Sequence, residues 1–246
     1  MLTGYEVARV LASPAFPAFD ARIRRDVRGL ARRSPVRRPE VLDVGARTSP
    51  FTVGVPVRVT VLDLPRESDV QRSLKLGVTD DIVDQLRRHR SNIERVVLED
   101  MTRTSEPDAR YDGVLAVEVV EHVPDDKAFV AQLRRVLRPG GWAYLTTPNG
   151  DYVRNEGPDH NPDHLRLYGR DELAALLGRH FDEVHVEYGI HTGPHRWHGQ
   201  RLSVARTPWA FGRAAWANVR SRIESRDVAD QARRTANRFA DCRADP

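Results

Sequence analysis

The sequence predicts an α/β fold: a mostly parallel sheet of seven strands with helices on both faces. Three observations carry this. Short apolar runs, such as residues 41–44 and 114–117, are too brief for helices and stop at glycine or an acid, so they read as buried strands. Between them lie segments whose apolar residues recur at spacings of three and four, the helical period. The two kinds alternate along the chain, as parallel strands joined by crossover helices require.

The elements follow in order. Val7, Val10 and Leu11, then Ile23, Val27 and Leu30, keep helical spacing on either side of Pro14 and Pro17, so residues 4–33 read as one or two helices. Residues 40–44 form the first strand, which stops at Gly45. Residues 57–64 alternate and form the second, ending at Asp63, Leu64 and Pro65. Residues 66–92 read as helical in two pieces broken near Gly77, with Thr79 as the N-cap of the second. Strand three spans 95–98 and strand four 111–120. A helix over 125–137 turns Phe129, Leu133, Val136 and Leu137 inward, and Pro139-Gly140-Gly141 makes a turn before strand five at 142–147. A helix at 170–177, strand six at 183–188 and strand seven near 201–205 follow, and 209–240 reads as mainly helical and polar. The organisation expected is an N-terminal helical cap (1–37), a ligand-binding sheet domain (38–206) and a C-terminal helical extension (207–246).

Of the 246 residues, 40% are hydrophobic and 30% charged, enough apolar material for a packed core, which argues against global disorder. No run approaches 18 apolar residues, so no membrane span or membrane partner is expected. Glu6 interrupts the first apolar stretch, and Asp20 and Asp26 sit in the Arg-rich start, against a signal or transit peptide, so a cytoplasmic location is expected. Cys242 is the single cysteine, so no internal disulfide forms. Residues 1–40 and 201–246 each carry net +5, and 41–200 carries −6, against +4 for the whole chain. Basic ends of this kind could form a nucleic-acid face, but arginines at helical spacing also make ordinary solvated surface.

In a parallel sheet, ligands bind beyond the carboxyl ends of the strands, near the point where strand order reverses. The residues at those ends resemble a known family. Val41-Leu42-Asp43-Val44-Gly45 is similar to the first motif of the class I S-adenosylmethionine-dependent methyltransferases, the ubiquinone-type and natural-product enzymes. The stretch from Tyr111 to Val123, containing Val117-Glu118-Val119-Val120-Glu121-His122, is the closest match. Leu137-Arg138-Pro139-Gly140-Gly141 resembles the family's turn before strand five, and His164-Leu165-Arg166-Leu167-Tyr168 with Asp171-Glu172-Leu173 resembles a later segment. The resemblance covers about residues 38–190 and implies a Rossmann-like domain that binds S-adenosyl-L-methionine. It places Asp63, next to Leu64, on the ribose hydroxyls and Asp100, with Met101, on the adenine. Asp43, Gly45, Ala46, Arg47, Val117 and Glu118 complete the cofactor-binding set. One departure stands out: the first loop, 45–50, has a single glycine where the family usually has several, and Arg47 could pair with the cofactor's carboxylate. The lost glycines also argue against a nicotinamide site, which needs G-x-G-x-x-G.

Methylating a hydroxyl requires a proton acceptor, and histidine titrates near neutrality. His164 or His160, after strand five, is the favoured base, with His122, after strand four, as the alternative, and each has a plain structural role as its competing reading. His191, His195 and His198 have a spacing that could hold zinc on a helix, but Gly193, Pro194 and Gly199 oppose a helix there, and no metal is expected. Tyr152, Tyr168, Trp197 and Trp209 could line an acceptor pocket or pack in the core. The expected reaction is methyl transfer to a hydroxyl or amine of a small molecule, in natural-product or sugar-containing metabolite biosynthesis. An RNA methyltransferase using the basic ends and a cofactor-binding scaffold without turnover are the competing readings. Nucleic acid ranks below a small acceptor as partner, since no aromatic-rich RNA module is present. A homodimer through the C-terminal helices is left open.

Overall fold

The computed structural model describes residues 2–47, 49–65, 77–156, 161–200, 207–229, 231 and 235–244. Seven strands form one sheet: β1 (Glu40–Val44), β2 (Arg58–Asp63), β3 (Ile93–Leu98), β4 (Tyr111–Val117), β5 (Leu137–Pro148), β6 (Glu183–His191) and β7 (Thr235–Arg243). Their order is β3-β2-β1-β4-β5-β7-β6. All neighbours pair in parallel except β7, which runs antiparallel to both β5 and β6. The described helices are α1 (Gly4–Ala12), α2 (Ala18–Arg33), α3 (Asp80–His89), α4 (Asp126–Val136), α5 (Arg170–Leu177), α6 (Pro194–Gln200) and α7 (Pro208–Glu224). Among the described residues no helix is long and apolar enough to cross a membrane.

The core divides by strand alternation, because successive side chains point to opposite faces. Leu42 and Val44 of β1 with Val114 and Ala116 of β4 face Phe129, Leu133 and Val136 of α4 and Leu173 and Leu177 of α5. Val41, Val59, Val61 and Leu115 face Ile23, Val27 and Leu30 of α2. So α2 is a layer of the sheet domain rather than a detachable cap. At Gly113 a Cβ would lie 2.3 Å from the Trp142 ring, so glycine there lets β5 lay its tryptophan across β4.

Residues 139–141, expected as a turn before strand five, lie within β5, which begins at Leu137; two further expectations need correction. Residues 235–243 are not helical; they form the strand inserted between β5 and β6. The segment is polar, yet Phe239, Ala240 and Cys242 are buried and both backbone edges are paired, so ladder hydrogen bonding decides its conformation. The second is α6, which forms despite Gly193, Pro194 and Gly199: proline is well tolerated in the first helical turn, and Gly199 lets the Asn218 side chain approach closely. The strand expected near 201–205, the first helical piece at 66–76 and His160 lie outside the described residues.

Candidate active site

A cleft of about 290 Å³ opens at the carboxyl ends of β1 to β4. It lies where strand order reverses, since β2 and β4 flank β1 on opposite sides. Gly45, Asp63, Leu64, Asp100, Met101 and His122 all line it. These residues come from four separate loops that the sheet register brings to one edge.

The half built on β1, β2 and β3 is well satisfied. Gly45 adopts φ +67, a left-handed conformation natural to glycine, and a Cβ there would lie 2.8 Å from a Val119 methyl. Its N–H donates to the Leu62 carbonyl at 2.8 Å, joining the loop to β2. Asp63 accepts the Leu64 N–H at 2.8 Å on one oxygen and the Arg47 N–H at 3.2 Å on the other. Each oxygen keeps acceptor capacity beyond those bonds. Burial pushes the Asp63 carboxyl up, against the N–H donors from Leu64 and Arg47. Asp100 accepts both N–H and Oγ1 of Thr102, at 2.9 and 2.8 Å, capping the short 3₁₀ turn at Met101–Arg103. It therefore fills its structural role and lines the cleft as well. Asp43 is not at the cleft surface. It lies buried beneath the loop and accepts Ser49 Oγ at 2.9 Å. Burial pushes its carboxyl up to about 6, while the Arg90 guanidinium and the Ser49 and Thr52 hydroxyls pull it down. Ala46 is buried, and Val117 packs against the core.

The half built on β4 and β5 is different. Glu118 adopts φ +52, a sparsely populated conformation for a residue with a side chain. Its N–H donates to the Thr146 carbonyl at 3.0 Å, and its carboxylate accepts Thr146 Oγ1 at 2.9 Å and Asn237 Nδ2 at 3.1 Å. Burial pushes Glu118 up to about 7, against these bonds and the charge of Arg196. Three residues on, Glu121 is fully buried, and neither of its carboxylate oxygens has a hydrogen-bond partner among the described residues. Burial, and then the charge of Glu118, hold its carboxyl well above the usual range. His122 packs edge-on against His164, with ring centroids 4.8 Å apart. The Nδ1 of His122 lies 2.8 Å from the Asp163 carbonyl. A carbonyl only accepts, so Nδ1 carries the hydrogen, and in the neutral imidazole the lone pair is the one on Nε2. Burial and neighbouring His122 lower His164. One donor atom from each of Glu121, His122 and His164 lies within 4.8 Å of the others.

Among the described residues, Glu121, Asn237, Arg196 and Phe129 are the site residues that sequence reasoning missed. Glu121 sat inside the quoted motif with no signal of its burial. Phe129 was read as helix core, and it also forms the cleft wall. Asn237 belongs to the unrecognised strand. The other histidines disperse: His195 Nδ1 meets Glu224 at 2.7 Å, and His198 Nδ1 bonds the Pro194 carbonyl at 2.7 Å. Tyr168 is buried core, its hydroxyl donating to Asp126 at 2.8 Å, while Tyr152, Trp197 and Trp209 are exposed.

The family profile described as "Methyltransferase domain" matches residues 19–181. Over 116 residues the chain is 34% identical to the "Probable S-adenosylmethionine-dependent methyltransferase" of Mycolicibacterium smegmatis, covering 45% of each chain. Over 159 residues it is 30% identical to the "Ubiquinone biosynthesis O-methyltransferase" of Thiobacillus denitrificans, covering 58% of this chain and 64% of that one. Each match spans less than two thirds of the relative's length. The fold is shared with a SAM-dependent methyltransferase of Archaeoglobus fulgidus, at a TM-score of 0.58 and 14% identity, covering 92% of both chains. With the profile spanning well over half of the sequence, the chain belongs to the family of class I S-adenosylmethionine-dependent methyltransferases.

Proposed function

We propose that the protein transfers a methyl group from S-adenosyl-L-methionine to a hydroxyl or amine of a small molecule, with His122 as the proton acceptor. The observation that carries this is the His122 hydrogen bond to the Asp163 carbonyl, which fixes the tautomer with a lone pair on Nε2 in a residue that lines the cleft. The cleft fits the cofactor in its own terms. Asp63 has acceptor capacity for two ribose hydroxyls, Gly45 brings backbone close without a Cβ in the way, and Met101 and Phe129 give apolar surface for a base. Arg47, on the same loop, would serve the cofactor's carboxylate. When bound, S-adenosyl-L-methionine supplies an electrophilic methyl on a sulfonium. The protein's part is to align the acceptor, exclude water and take its proton. His122 takes that proton at Nε2, and the neighbouring imidazole of His164 and carboxyl of Glu121 form the polar environment that receives the charge. A hydroxyl is favoured over an amine because it needs the base more, and relatives carry the name O-methyltransferase.

The test is release of S-adenosylhomocysteine across a panel of small hydroxyl and amine acceptors, with wild type and His122→Ala. Turnover in wild type that collapses in the variant supports the reading. Cofactor binding without turnover on any acceptor supports the scaffold reading instead. A second reading rests on the clustering of three ligand atoms around the buried Glu121 carboxylate: Glu121, His122 and His164 would hold a divalent cation that acidifies the acceptor hydroxyl. Cobalt absorption bands in chelator-stripped protein, with turnover restored by metal, would favour it. Full turnover in the stripped protein would remove it.

A further inference from the structure

A second cavity, of about 560 Å³, lies between α2, the short turn at Ser13–Ala15 and α7. None of its lining residues belongs to the cleft. Arg24, Arg25, Arg28, Arg32 and Arg222 line it, with Phe16 and Pro14 as the apolar wall. Gathering like charges is unfavourable unless something answers them, more so when they are out of water. Arg24 is only 8% exposed. One Arg24 Nη donates to the Val53 carbonyl at 3.0 Å, and its other Nη, buried, has no hydrogen-bond partner among the described residues. Arg222 spends one Nη on the Ser13 and Phe16 carbonyls, at 2.7 and 2.6 Å, and its buried Nε is unpartnered. Arg9 stacks on the Phe16 ring at 4.5 Å, and its buried Nε is unpartnered too. Arg28 reaches the Gly54 carbonyl at 3.3 Å, and Arg25 pairs with Asp26. Burial, then the charges of Arg28 and Arg9, pull Arg24 below its usual value. The acid whose charge reaches Arg9, Arg24 and Arg222 together is Asp20, and no ion pair within 4.0 Å joins it to any of them. Native proteins rarely leave buried donors unmade, and two guanidinium groups doing so in the wall of one cavity, Arg24 and Arg222, mark a place for an acceptor-rich group.

We propose that this cavity is a binding site for a phosphorylated small molecule, whose phosphoryl oxygens take the free donors of Arg24 and Arg222. Guanidinium groups match phosphate oxygens in geometry as well as charge, and no ammonium group is needed. Unpartnered donors that are buried, rather than spread along an exposed track, favour a compact anion over a nucleic-acid strand, which needs an open basic track with stacking aromatics.

The test is calorimetric titration of the full chain with pyrophosphate and, separately, with a sugar phosphate, at constant ionic strength. One-site saturable binding of either is expected. Binding of both assigns recognition to the phosphoryl group alone, and binding of the sugar phosphate only adds contacts to its organic part. Arg24→Gln should weaken binding at least 10-fold. Because Arg24 also braces Val53, the exposed Arg32→Glu gives an independent readout and should weaken binding about 3- to 10-fold without loss of folding, by the worth of one partly screened charge. Asp63→Ala, in the cleft, should leave it unchanged. The proposal is overturned if neither probe saturates, if Arg32→Glu and Arg24→Gln bind as wild type, if Asp63→Ala abolishes binding, or if a short single-stranded RNA binds and loses affinity in Arg32→Glu while the phosphates do not bind.

Discussion

The two halves of the cleft treat their charged groups differently. On the β1–β3 side, each carboxylate is answered by its own loop: Asp63 by the N–H groups of Arg47 and Leu64, Asp100 by Thr102, Asp43 by Ser49. On the β4–β5 side, the Glu121 carboxylate makes no hydrogen bond of good geometry among the described residues and is eased only by its own backbone and the Thr147 hydroxyl, Glu118 sits in strained backbone, and two imidazoles crowd each other. A half that is complete in itself suits a ligand held the same way in every turnover. A half that carries strain and raised carboxyls suits proton movement, where groups near neutrality are wanted. Raised carboxyls occur in both halves, at Asp43 and Asp63 as at Glu118 and Glu121, but the strained backbone and the crowded imidazoles lie on the β4–β5 side.

The contrast can be broken by substitution. The largest expected effect is His122→Ala, which should lower kcat about 10²- to 10⁴-fold, the usual worth of a positioned base. S-adenosylmethionine affinity measured alongside should change far less; an equal loss in both would merge the halves. His164→Gln should cost about 10-fold in kcat, within the range of a positioning contact to the base. A larger loss than in His122→Ala would move the base to His164. Glu118→Gln separates charge from shape. Its folded pKa lies above its ordinary 4.5, so the native state takes up a proton, and the resulting stability is lost as pH rises from about 4.5 through 7. Unfolding of wild type should therefore become easier between pH 5 and 8 by about 1–2 kcal/mol more than in the glutamine variant, allowing for partial exposure. Parallel melting curves at the two pH values would remove the raised carboxyl. The smallest effect should be Asp100→Asn, which keeps the cap on Thr102 and loses one charged acceptor, for a roughly 3- to 10-fold weaker cofactor affinity. No change would leave Asp100 as a cap alone.

What could be read in the sequence follows from local physics. Strands β1 to β6 were legible because apolar runs ending at Gly45 or Asp63 admit few other conformations. Helix α5 was legible to the residue, at Arg170–Leu177. That Gly45, Asp63, Asp100 and His122 would meet at one edge was legible because topology alone brings the strand ends together. Strand β7 was not, since its polar residues are held by pairing on both sides rather than by pattern. Nor was the burial of Glu121, which depends on residues 161–169 packing on the Val120–His122 turn, where the Leu165 N–H meets the Glu121 carbonyl at 2.9 Å. The role of α2 was misjudged for a similar reason: its periodicity showed an apolar face without showing that the face belongs to the sheet. Deleting residues 1–33 would uncover Val41, Val59 and Val61 and so test folding.

The most direct test of the account is calorimetric titration of S-adenosylmethionine into wild type and Asp63→Ala. The account predicts saturable binding to wild type and at least 100-fold weaker binding to the variant, about 3 kcal/mol for a buried charged acceptor of two hydroxyls. Wild-type binding that survives unchanged in Asp63→Ala, or no binding to wild type with or without a candidate acceptor, would contradict it.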